Sequence, residues 1–530
     1  MFINSPGALC LLPLLVVAPL CAHGQTPTGE TPVESAKVAE LGPHGKMIYT
    51  PYTAQGDRVL DFSNCGYGGG GVALPRVAAK MTIAPVAGNG DDSPRLQKAV
   101  DELARLPLGA DGFRGALLLK RGTYRLSDTL KVTSSGIVIR GEGNDEKGTV
   151  LLGTSRKKYN LLAFEGGTIR PLTGTSQPVT DAYVPVGART LAVANGAGFR
   201  VGDTVSVTRY GNAAWIHEIK MDQIKVRNKS TKQWGPFSLV FDRIVTGVRG
   251  NTLTLDAPLA NSIDQRWGGG SVAKYDGGAR IRNVGLENLY GICDFDRSIT
   301  KTYNDKTVLA DEDHVNRLVG FENAQNVWVR DVGTRYLQGV VSMGRGVKHA
   351  TVQDSNSVEP VSQLTGGRRY PFFSNGQLTL WQRLRAEGGR HSFVYDSRVP
   401  GPNVFLDCVA TDENANSEAH HRWSVGGLYD NVRGNVAINN RGNQGSGQGW
   451  GGANYVVWNG EGALMLQSPP TAPNFAIGYV GQVKKPTFGQ TNGWFNSYGQ
   501  HVAPRSLYLQ QLEERLGPQA VKNIAPNTSP

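Results

Sequence analysis

Short hydrophobic runs, separated by glycine and polar residues, recur along most of the chain. Between residues 113 and 142 this pattern predicts four strands of three to five residues with minimal turns, namely Ala116–Lys120, Thr123–Arg125, Thr129–Val132 and Ile137–Arg140. Connections this short are too tight for a β-sandwich. They favour a solenoid in which the chain climbs one rung at a time.

The same pattern resumes at Ile281 and continues to residue 482. Successive strands begin roughly 20–30 residues apart, the length of one turn of a parallel solenoid, at Val327, Val347, Leu378, Val404 and Val432. Asparagine tolerates left-handed backbone at corners. We therefore predict that four asparagines shape the corners before rung strands: Asn283, Asn326, Asn403 and Asn431.

Three segments depart from the rung pattern. Asp91–Leu106 has helical periodicity and Pro94 in its first turn, so it predicts a helix that caps the solenoid. Residues 171–280 hold longer strands and predict a small antiparallel β subdomain inserted into the solenoid. Ser506–Leu516 predicts a C-terminal helix.

These segments divide the chain into six parts: 1–24 signal peptide, 25–82 extended N-terminal segment, 83–170 first rungs, 171–280 insertion, 281–482 main solenoid, and 483–530 C-terminal segment. The C-terminal segment is predicted to end in a disordered tail after about Asn523.

The N-terminus has the pattern of a secretory signal. Ala8–Leu20 is apolar but too short to span a bilayer, and the small residues Ala22 and Gly24 flank His23 as a cleavage site requires. We therefore expect a secreted or periplasmic protein, with no membrane span.

The amino-acid composition and the net charge limit the fold class and the kinds of molecule that the protein is expected to bind. The chain contains 68 glycines and only 19% charged residues, which favours turn-dense β structure. A net charge of +11 favours encounters with polyanions. The signal peptide and the absence of a long basic run argue against nucleic acid, which leaves anionic lipid, an acidic polysaccharide, or a charge that serves only solubility. The protein is predicted to be a monomer.

Candidate chemistry is concentrated on consecutive rungs between residues 368 and 450. Equivalent positions on neighbouring rungs stack about 4.8 Å apart, so side chains distant in sequence can share one groove. The predicted catalytic residues are Arg390, His391, His420, His421 and Arg422. The predicted substrate-binding residues are Arg368, Arg369, Tyr370, Trp423, Trp450, Asp412 and Glu413. Because neighbouring side chains of an extended strand point in opposite directions, only one of His420 and His421 is expected to face the groove.

Several stretches resemble a known family. GNGDDSPRLQKAVDELARL, GALLLKRGTYRLSDTLKV and GIVIRGEG look like the opening of secreted right-handed parallel β-helix proteins of the pectate lyase superfamily. AEGGRHSFV, PGPNVFLDCVA and HHRWSVGGLYDNV are similar to a bacterial pectate-lyase-like subgroup. The resemblance covers roughly residues 60–520 and implies an all-β, right-handed parallel β-helix that acts on polysaccharides. It does not specify the reaction, because proteins with one fold perform different chemistry.

Three functions remain open. A lyase acting on uronic acids needs a base near neutrality, here His391 or His421, and guanidinium groups that neutralise the sugar carboxylate, here Arg390 and Arg422. A hydrolase on the same fold needs two carboxylates, drawn from Asp354, Glu359, Asp396, Asp412, Glu413 and Glu418. The third possibility is a glycan-binding protein without catalysis.

No cofactor is expected. The scattered cysteines and the adjacent histidines lack the spacing of a zinc site. The oxygen-bearing side chains of Asp354, Asn356 and Glu359 leave calcium as an alternative.

Overall fold

The computed structural model describes residues 32–526, and the chain winds there into a solenoid with three parallel sheets. The signal peptide predicted at residues 1–24 lies outside this range. Each turn contributes one strand to each sheet in its central rungs, and strands pair in parallel with the equivalent strands of the turns before and after. The predicted parallel β-helix is confirmed.

The first sheet runs the length of the solenoid. Its strands are Ala79–Ile83, Gly115–Leu119, Ile137–Arg140, the first halves of Ile281–Cys293 and Ala324–Arg335, Lys348–Gln353, Gln377–Gln382, Pro400–Leu406, Ser424–Asp430, Gly452–Ala453, Val456–Trp458, Phe475–Ile477 and Trp494–Asn496.

The second sheet is formed by Gly122–Leu126, Thr149–Gly153, the second halves of Ile281–Cys293 and Ala324–Arg335, Asn356–Val358, Arg385–Glu387 and Val409–Thr411. The third sheet contains ten strands: Leu130–Val132, Asn160–Glu165, Arg317–Glu322, Gly339–Met343, Phe372–Ser374, Phe393–Tyr395, Ser417–Ala419, Val436–Ile438, Glu461–Leu466 and Val480–Val483.

Helix α1, Ser93–Arg105, covers the N-terminal end of the solenoid. Its apolar stripe of Leu96, Val100 and Leu103 joins the core enclosed by the three sheets. The sequence predicted this helix and the four strands between residues 113 and 142 to within two residues, because local periodicity and Pro94 set their positions.

An antiparallel sheet interrupts the solenoid between Glu165 and Ile281. Its long strands Thr204–Gly211, Phe237–Arg249 and Gly270–Asp276 are joined by the short strands Arg170–Pro171, Gln177–Pro178, Thr190–Ala192 and Thr252–Leu255, and the pair Tyr183–Val184 and Ile263–Asp264 lies beside them. Helix α2, Ala213–Glu218, follows the first long strand. Two hairpins complete the strands, Ala39–Leu41 with Met47–Tyr49 and Thr300–Tyr303 with Lys306–Leu309.

The outer face of the first sheet is covered by a second apolar core. The N-terminal segment, the antiparallel sheet and the C-terminal helices α3, Leu507–Leu516, and α4, Pro518–Ile524, all pack there. Leu380, Val404 and Leu428 lie beneath them. The residues of the candidate site described below belong mainly to the third sheet and its loops, and Arg227 of the insertion also reaches that site.

The predicted disordered tail is corrected where the structure describes it. Ile524 ends helix α4 and is buried, and its carbonyl accepts hydrogen bonds from Gln382 and Arg383 at 3.2 and 3.1 Å. Residues 527–530 lie outside the described range.

The corner prediction holds for three asparagines and is wrong for the fourth. Asn283, Asn326 and Asn431 have φ angles of 56°, 55° and 53°. Asn403 lies inside the strand Pro400–Leu406, where its side-chain oxygen accepts a hydrogen bond from the Thr379 backbone N–H at 2.9 Å.

Candidate active site

The candidate site lies where strands of the third sheet begin and end. Phe373, Val394 and Glu418 are aligned on three neighbouring strands of that sheet. The loops that precede these strands carry Tyr370, Arg390 and His391, and the loops that follow them carry Asp396, His420 and His421. Because neighbouring strands lie about 4.8 Å apart, these side chains form one cluster.

Glu418 is the buried centre of this cluster. Arg441 Nη1 donates to Glu418 Oε1 at 2.5 Å and to the His420 carbonyl at 3.0 Å. The Nδ1 atoms of His420 and His391 contact the same carboxylate oxygen, that of His391 at 3.2 Å. Arg441 thus balances the charge of a carboxylate that would be costly to bury alone.

Tyr370 links this centre to the open side of the site. Its hydroxyl donates to the Gly366 carbonyl at 3.1 Å, accepts from Arg390 Nη1 at 3.1 Å, and lies 3.3 Å from His420 Nε2. Burial raises the pKa of Tyr370 to about 12, against the opposing effect of Arg390. The hydroxyl therefore carries its proton at neutral pH.

His421 is the more accessible of the two adjacent histidines. Its Nδ1 is buried and 3.7 Å from Asp396 Oδ1, which is an electrostatic contact too long for a hydrogen bond. Burial lowers the pKa of His421 and Asp396 opposes the shift. A carboxylate beside Nδ1 favours the tautomer that leaves the Nε2 lone pair free.

These side chains line a pocket of about 640 Å³. Its wall contains four arginines, two histidines, a tyrosine and one carboxylate: Arg227, Arg317, Arg390, Arg441, His420, His421, Tyr370 and Asp396, together with Gly366, Gly367, Phe373, Gln444, Gly445 and Gln448. Burial lowers the pKa of Arg317 to about 10, so it remains charged at neutral pH. The pocket has an excess of positive charge and is suited to an anionic ligand.

Two expectations about the histidines are corrected. His420 and His421 both line the pocket, because the strand ends at Ala419 and the backbone beyond it is no longer extended. His391 is only 3% exposed and does not line the pocket. Its Nδ1 donates to the Asn416 carbonyl at 2.6 Å, so it supports the site from behind.

The two tryptophans predicted to stack on sugar rings are core residues. Trp423 is fully buried, packs edge-to-face on Trp215, and donates to Asn261 at 2.8 Å. Trp450 is buried and donates to the Ile219 carbonyl at 3.0 Å. Both side chains pack between the inserted subdomain and the solenoid, so neither ring is accessible to a ligand.

The arginines predicted on the preceding rung hold loops together. Arg369 is buried and donates to the Ser362 and Leu309 carbonyls at 2.9 and 3.0 Å. Arg368 forms an ion pair with Glu312 at 2.7 Å. Neither lines the pocket that contains Tyr370.

Arg422 and the two acidic residues predicted to bind substrate lie elsewhere. Arg422 follows His421 in sequence but lines a neighbouring pocket. Asp412 is exposed and paired with Lys306 at 3.0 Å. Glu413 is partly buried outside both pockets, where Glu413 Oε2 accepts from the Asn435 N–H at 2.6 Å.

Replacing Glu413 with glutamine is expected to change how stability depends on pH. Burial raises the pKa of Glu413 from 4.5 to about 7, against the Asn435 N–H and Lys484. The folded state then binds this proton more tightly than the unfolded state, so stability falls as pH rises between these values. Chemical denaturation of both proteins should show Glu413→Gln gaining about 3 kcal/mol relative to the wild type between roughly pH 4 and pH 8. Identical pH profiles would contradict this assignment.

One group of described residues has the geometry of a metal site. Ligand atoms of His391, Glu418 and His420 lie within 4.8 Å of one another. However, Arg441 Nη1 lies 2.5 Å from Glu418 Oε1 and 2.7 Å from His420 Nδ1, so a guanidinium already fills this space and neutralises the carboxylate. The residues present therefore do not fit a metal ion.

The acidic residues considered for calcium are engaged by arginines. Asp354 pairs with Arg383 at 2.6 Å and Glu359 pairs with Arg335 at 3.0 Å. Calcium binding there stays a prediction.

Sequence reasoning did not identify Arg441, Arg317 or Arg227. Arg317 begins the strand Arg317–Glu322, and Arg227 belongs to the insertion. Arg441 precedes the glycine-rich loop 442–452. Gln444 and Gln448 of this loop line the pocket, and Gly449, at φ 59°, packs on the insertion. The position of Arg441 one rung after His420 was the available signal.

No family model matches the chain, and no curated protein matches its sequence. Similar solved structures include an alginate lyase from Paenibacillus sp. str. FPU-7 (10% identity, TM-score 0.38, 80% of this chain and 99% of that chain). The A-module of mannuronan C-5 epimerase AlgE6 from Azotobacter vinelandii matches with 13% identity and a TM-score of 0.33, over 84% of this chain and 96% of that one. The tailspike gp61 of Pseudomonas phage phi297 matches with 10% identity and a TM-score of 0.33, over 77% and 66%. At these values the similarity assigns no activity to this chain, and the predicted pectate-lyase-like subgroup is not supported by any of these matches.

Within residues 32–526, none of the helices combines the length and the apolar character needed to cross a bilayer.

Proposed function

We propose that this protein is a polysaccharide lyase that cleaves a uronic-acid-containing glycan by β-elimination. The observation that carries the proposal is the single pocket in which four arginines converge with Tyr370, His421 and one carboxylate. An excess of guanidinium groups suits a substrate with a carboxylate on the sugar, since guanidinium and carboxylate match in a bidentate geometry.

The arginines supply the first requirement of β-elimination. Removing the proton at C5 places negative charge on the adjacent sugar carboxylate, and fixed positive charge stabilises that state. Arg390 reaches the pocket beside Tyr370. Arg317 is held by its 2.7 Å hydrogen bond to the Tyr370 carbonyl. We assign these two residues to the carboxylate.

His421 and Tyr370 supply the proton transfers. His421 Nε2 takes the C5 proton, the electron pair forms the C4–C5 double bond, and the C4–O bond breaks. The departing oxygen receives the Tyr370 proton, and Tyr370 is then reprotonated from water as His421 releases its own. A neutral histidine and a protonated tyrosine are the states that the buried site favours.

Hydrolysis is the less favoured alternative. It needs two carboxylates at the scissile bond, and Asp396 is the one acidic residue among the described lining residues. Glu418 is only 4% exposed and is engaged by Arg441 and two histidines. The remaining acidic candidates lie outside the pocket.

Secretion forms part of the proposal. The predicted signal peptide would place the protein outside the cytoplasm, where extracellular and cell-wall polysaccharides are accessible. We also propose that it acts as a monomer.

The proposed reaction predicts a product with a C4–C5 double bond. Purified protein incubated with a panel of acidic polysaccharides should generate ultraviolet absorbance from this conjugated uronate, together with new reducing ends. A neutral glucan serves as the control and should remain intact. New reducing ends without ultraviolet absorbance would instead establish hydrolysis. Binding without either signal would leave a glycan-binding protein.

A further inference from the structure

A second pocket of about 630 Å³ lies at the corner between the third and first sheets, against the inserted subdomain. Two short turns separate it from the candidate active site. Asp396 and His421 line the active-site pocket, whereas Arg398 and Arg422, one or two residues further along, line this one. Because consecutive Cα atoms are about 3.8 Å apart, the two pockets adjoin on the solenoid surface.

Four arginines line the second pocket. Arg280 is paired with Asp242, and the other three are Arg345, Arg398 and Arg422. Arg345 Nη2 donates to the Ser397 carbonyl at 2.7 Å, and Arg422 Nη2 donates to Ser446 Oγ at 2.7 Å. Burial lowers the pKa of Arg398, and the neighbouring charges of Arg422 and Arg345 lower it further. The three charges therefore repel one another in the structure as it stands.

Ion pairs do not offset these charges, although Arg345 acts on Glu322, whose pKa it lowers against the larger, opposing effect of burial. Within residues 32–526, none of the three arginines has a carboxylate within ion-pair distance. Asp242 also lines the pocket, but it is paired with Arg280 and with Lys348, the latter at 2.8 Å.

Two buried guanidinium nitrogens of this pocket also lack a hydrogen-bond partner. The Nε atoms of Arg398 and Arg422 are buried and have no hydrogen-bond partner. Guanidinium groups without a carboxylate partner around a cavity are suited to an anion.

The inserted subdomain forms the opposite wall. Its strands alternate, so Val205, Val207 and Leu239 face the apolar core. Ser206, Thr208 and Ser238 line the pocket. Hydroxyl groups beside a basic cluster match a ligand that carries both hydroxyls and a carboxylate.

We propose that this pocket is a second sugar subsite that binds a uronate of the same polymer chain that enters the active site. This inference rests on the proposed function, because it assumes that the active site binds the same polymer. It goes beyond that function by assigning Arg345, Arg398 and the inserted subdomain to the selection of substrate length. A chain that spans both pockets gains the second contact without a second loss of translational freedom.

The test is titration calorimetry with purified oligogalacturonates and oligoalginates, comparing disaccharide with octasaccharide. The His421→Asn protein is used so that the probe is not consumed. We expect the octasaccharide to bind at least about tenfold more tightly than the disaccharide. Arg345→Gln/Arg398→Gln should remove this advantage and leave disaccharide affinity unchanged.

Two controls keep the result interpretable. Lys37→Gln/Lys98→Gln removes the same charge at exposed positions and should retain the length preference. Arg345→Lys/Arg398→Lys keeps the charge and should retain part of the preference, which separates charge loss from misfolding.

The subsite would be overturned if Arg345→Gln/Arg398→Gln still bound the octasaccharide more tightly than the disaccharide by the full factor. It would also be overturned if the protein with both arginines intact bound neither oligosaccharide. Cleavage without length preference would overturn the subsite alone. Length-dependent binding without an unsaturated product would overturn the lyase proposal alone.

Discussion

Replacing His421 with asparagine is expected to lower kcat on an acidic polysaccharide about 10²–10⁴-fold, the contribution typical of a positioned general base. His421 lines the active-site pocket, and Asp396 lies 3.7 Å from its Nδ1. Asparagine retains polarity but cannot take the C5 proton. Initial rates of ultraviolet absorbance, measured at saturating substrate, check this prediction.

His501→Asn is the matched control. His501 is also partly exposed and lies near a carboxylate, with Nε2 3.7 Å from Glu461, but it lines a different pocket. The control should keep wild-type kcat. If His421→Asn also keeps it, His421 is not the base and the proton must be removed by another group of the site.

Replacing Glu418 with alanine is expected to destabilise the protein by about 3–5 kcal/mol, because Arg441 would remain buried without its carboxylate. Glu418 and Arg441 are 4% and 9% exposed, and their 2.5 Å hydrogen bond lies beneath the pocket. Activity should fall as well, since Glu418 also contacts His420 and His391. Equilibrium denaturation measures the loss.

Asp412→Ala is the control that removes a carboxylate from an exposed ion pair instead of a buried one. Asp412 pairs with Lys306 at 3.0 Å, but both side chains are largely exposed, so its removal should cost about 1 kcal/mol or less. In addition, the double variant Glu418→Gln/Arg441→Met should lose less stability than the sum of the losses of the two single variants. The reason is that the double variant removes the charges of both members of the pair. Equal losses for Glu418→Ala and Asp412→Ala would show that the buried pair is not a stabilising centre.

The Glu418 centre explains how the site keeps several polar groups out of water. Burial lowers the pKa of His391 and of His420, and Arg441 lowers that of His420 further. Both rings therefore remain neutral beside the arginine. Their packing against Tyr370, with ring centroids 5.0 and 5.4 Å away, holds the tyrosine that we assign as the acid.

Local sequence patterns were sufficient for the rungs and for helix α1. Strands such as Ile137–Arg140 and the helix Ser93–Arg105 follow from hydrophobic spacing and end signals within a few residues. The clustering of Arg390, His420 and His421 also followed from sequence, because rung length alone brings residues roughly 20–30 positions apart onto neighbouring turns.

Side-chain direction was not accessible from the same patterns. Trp423 and Arg369 stand beside pocket residues in sequence, but one packs under the insertion and the other ties loops together. Their roles depend on where each strand ends and on what covers each face of the solenoid. What covers each face is set by segments far away in the chain.

The sequence by itself therefore determined the solenoid, its capping helix and the region of the chain that carries the candidate chemistry, because these depend on local periodicity. Only the tertiary structure decided which of those residues share a pocket. The contacts of Arg441 with Glu418, Arg317 with Tyr370, and Asp396 with His421 join different turns of the solenoid. Such pairings arise from the register of the third sheet and the packing of the insertion, which no short stretch of sequence encodes.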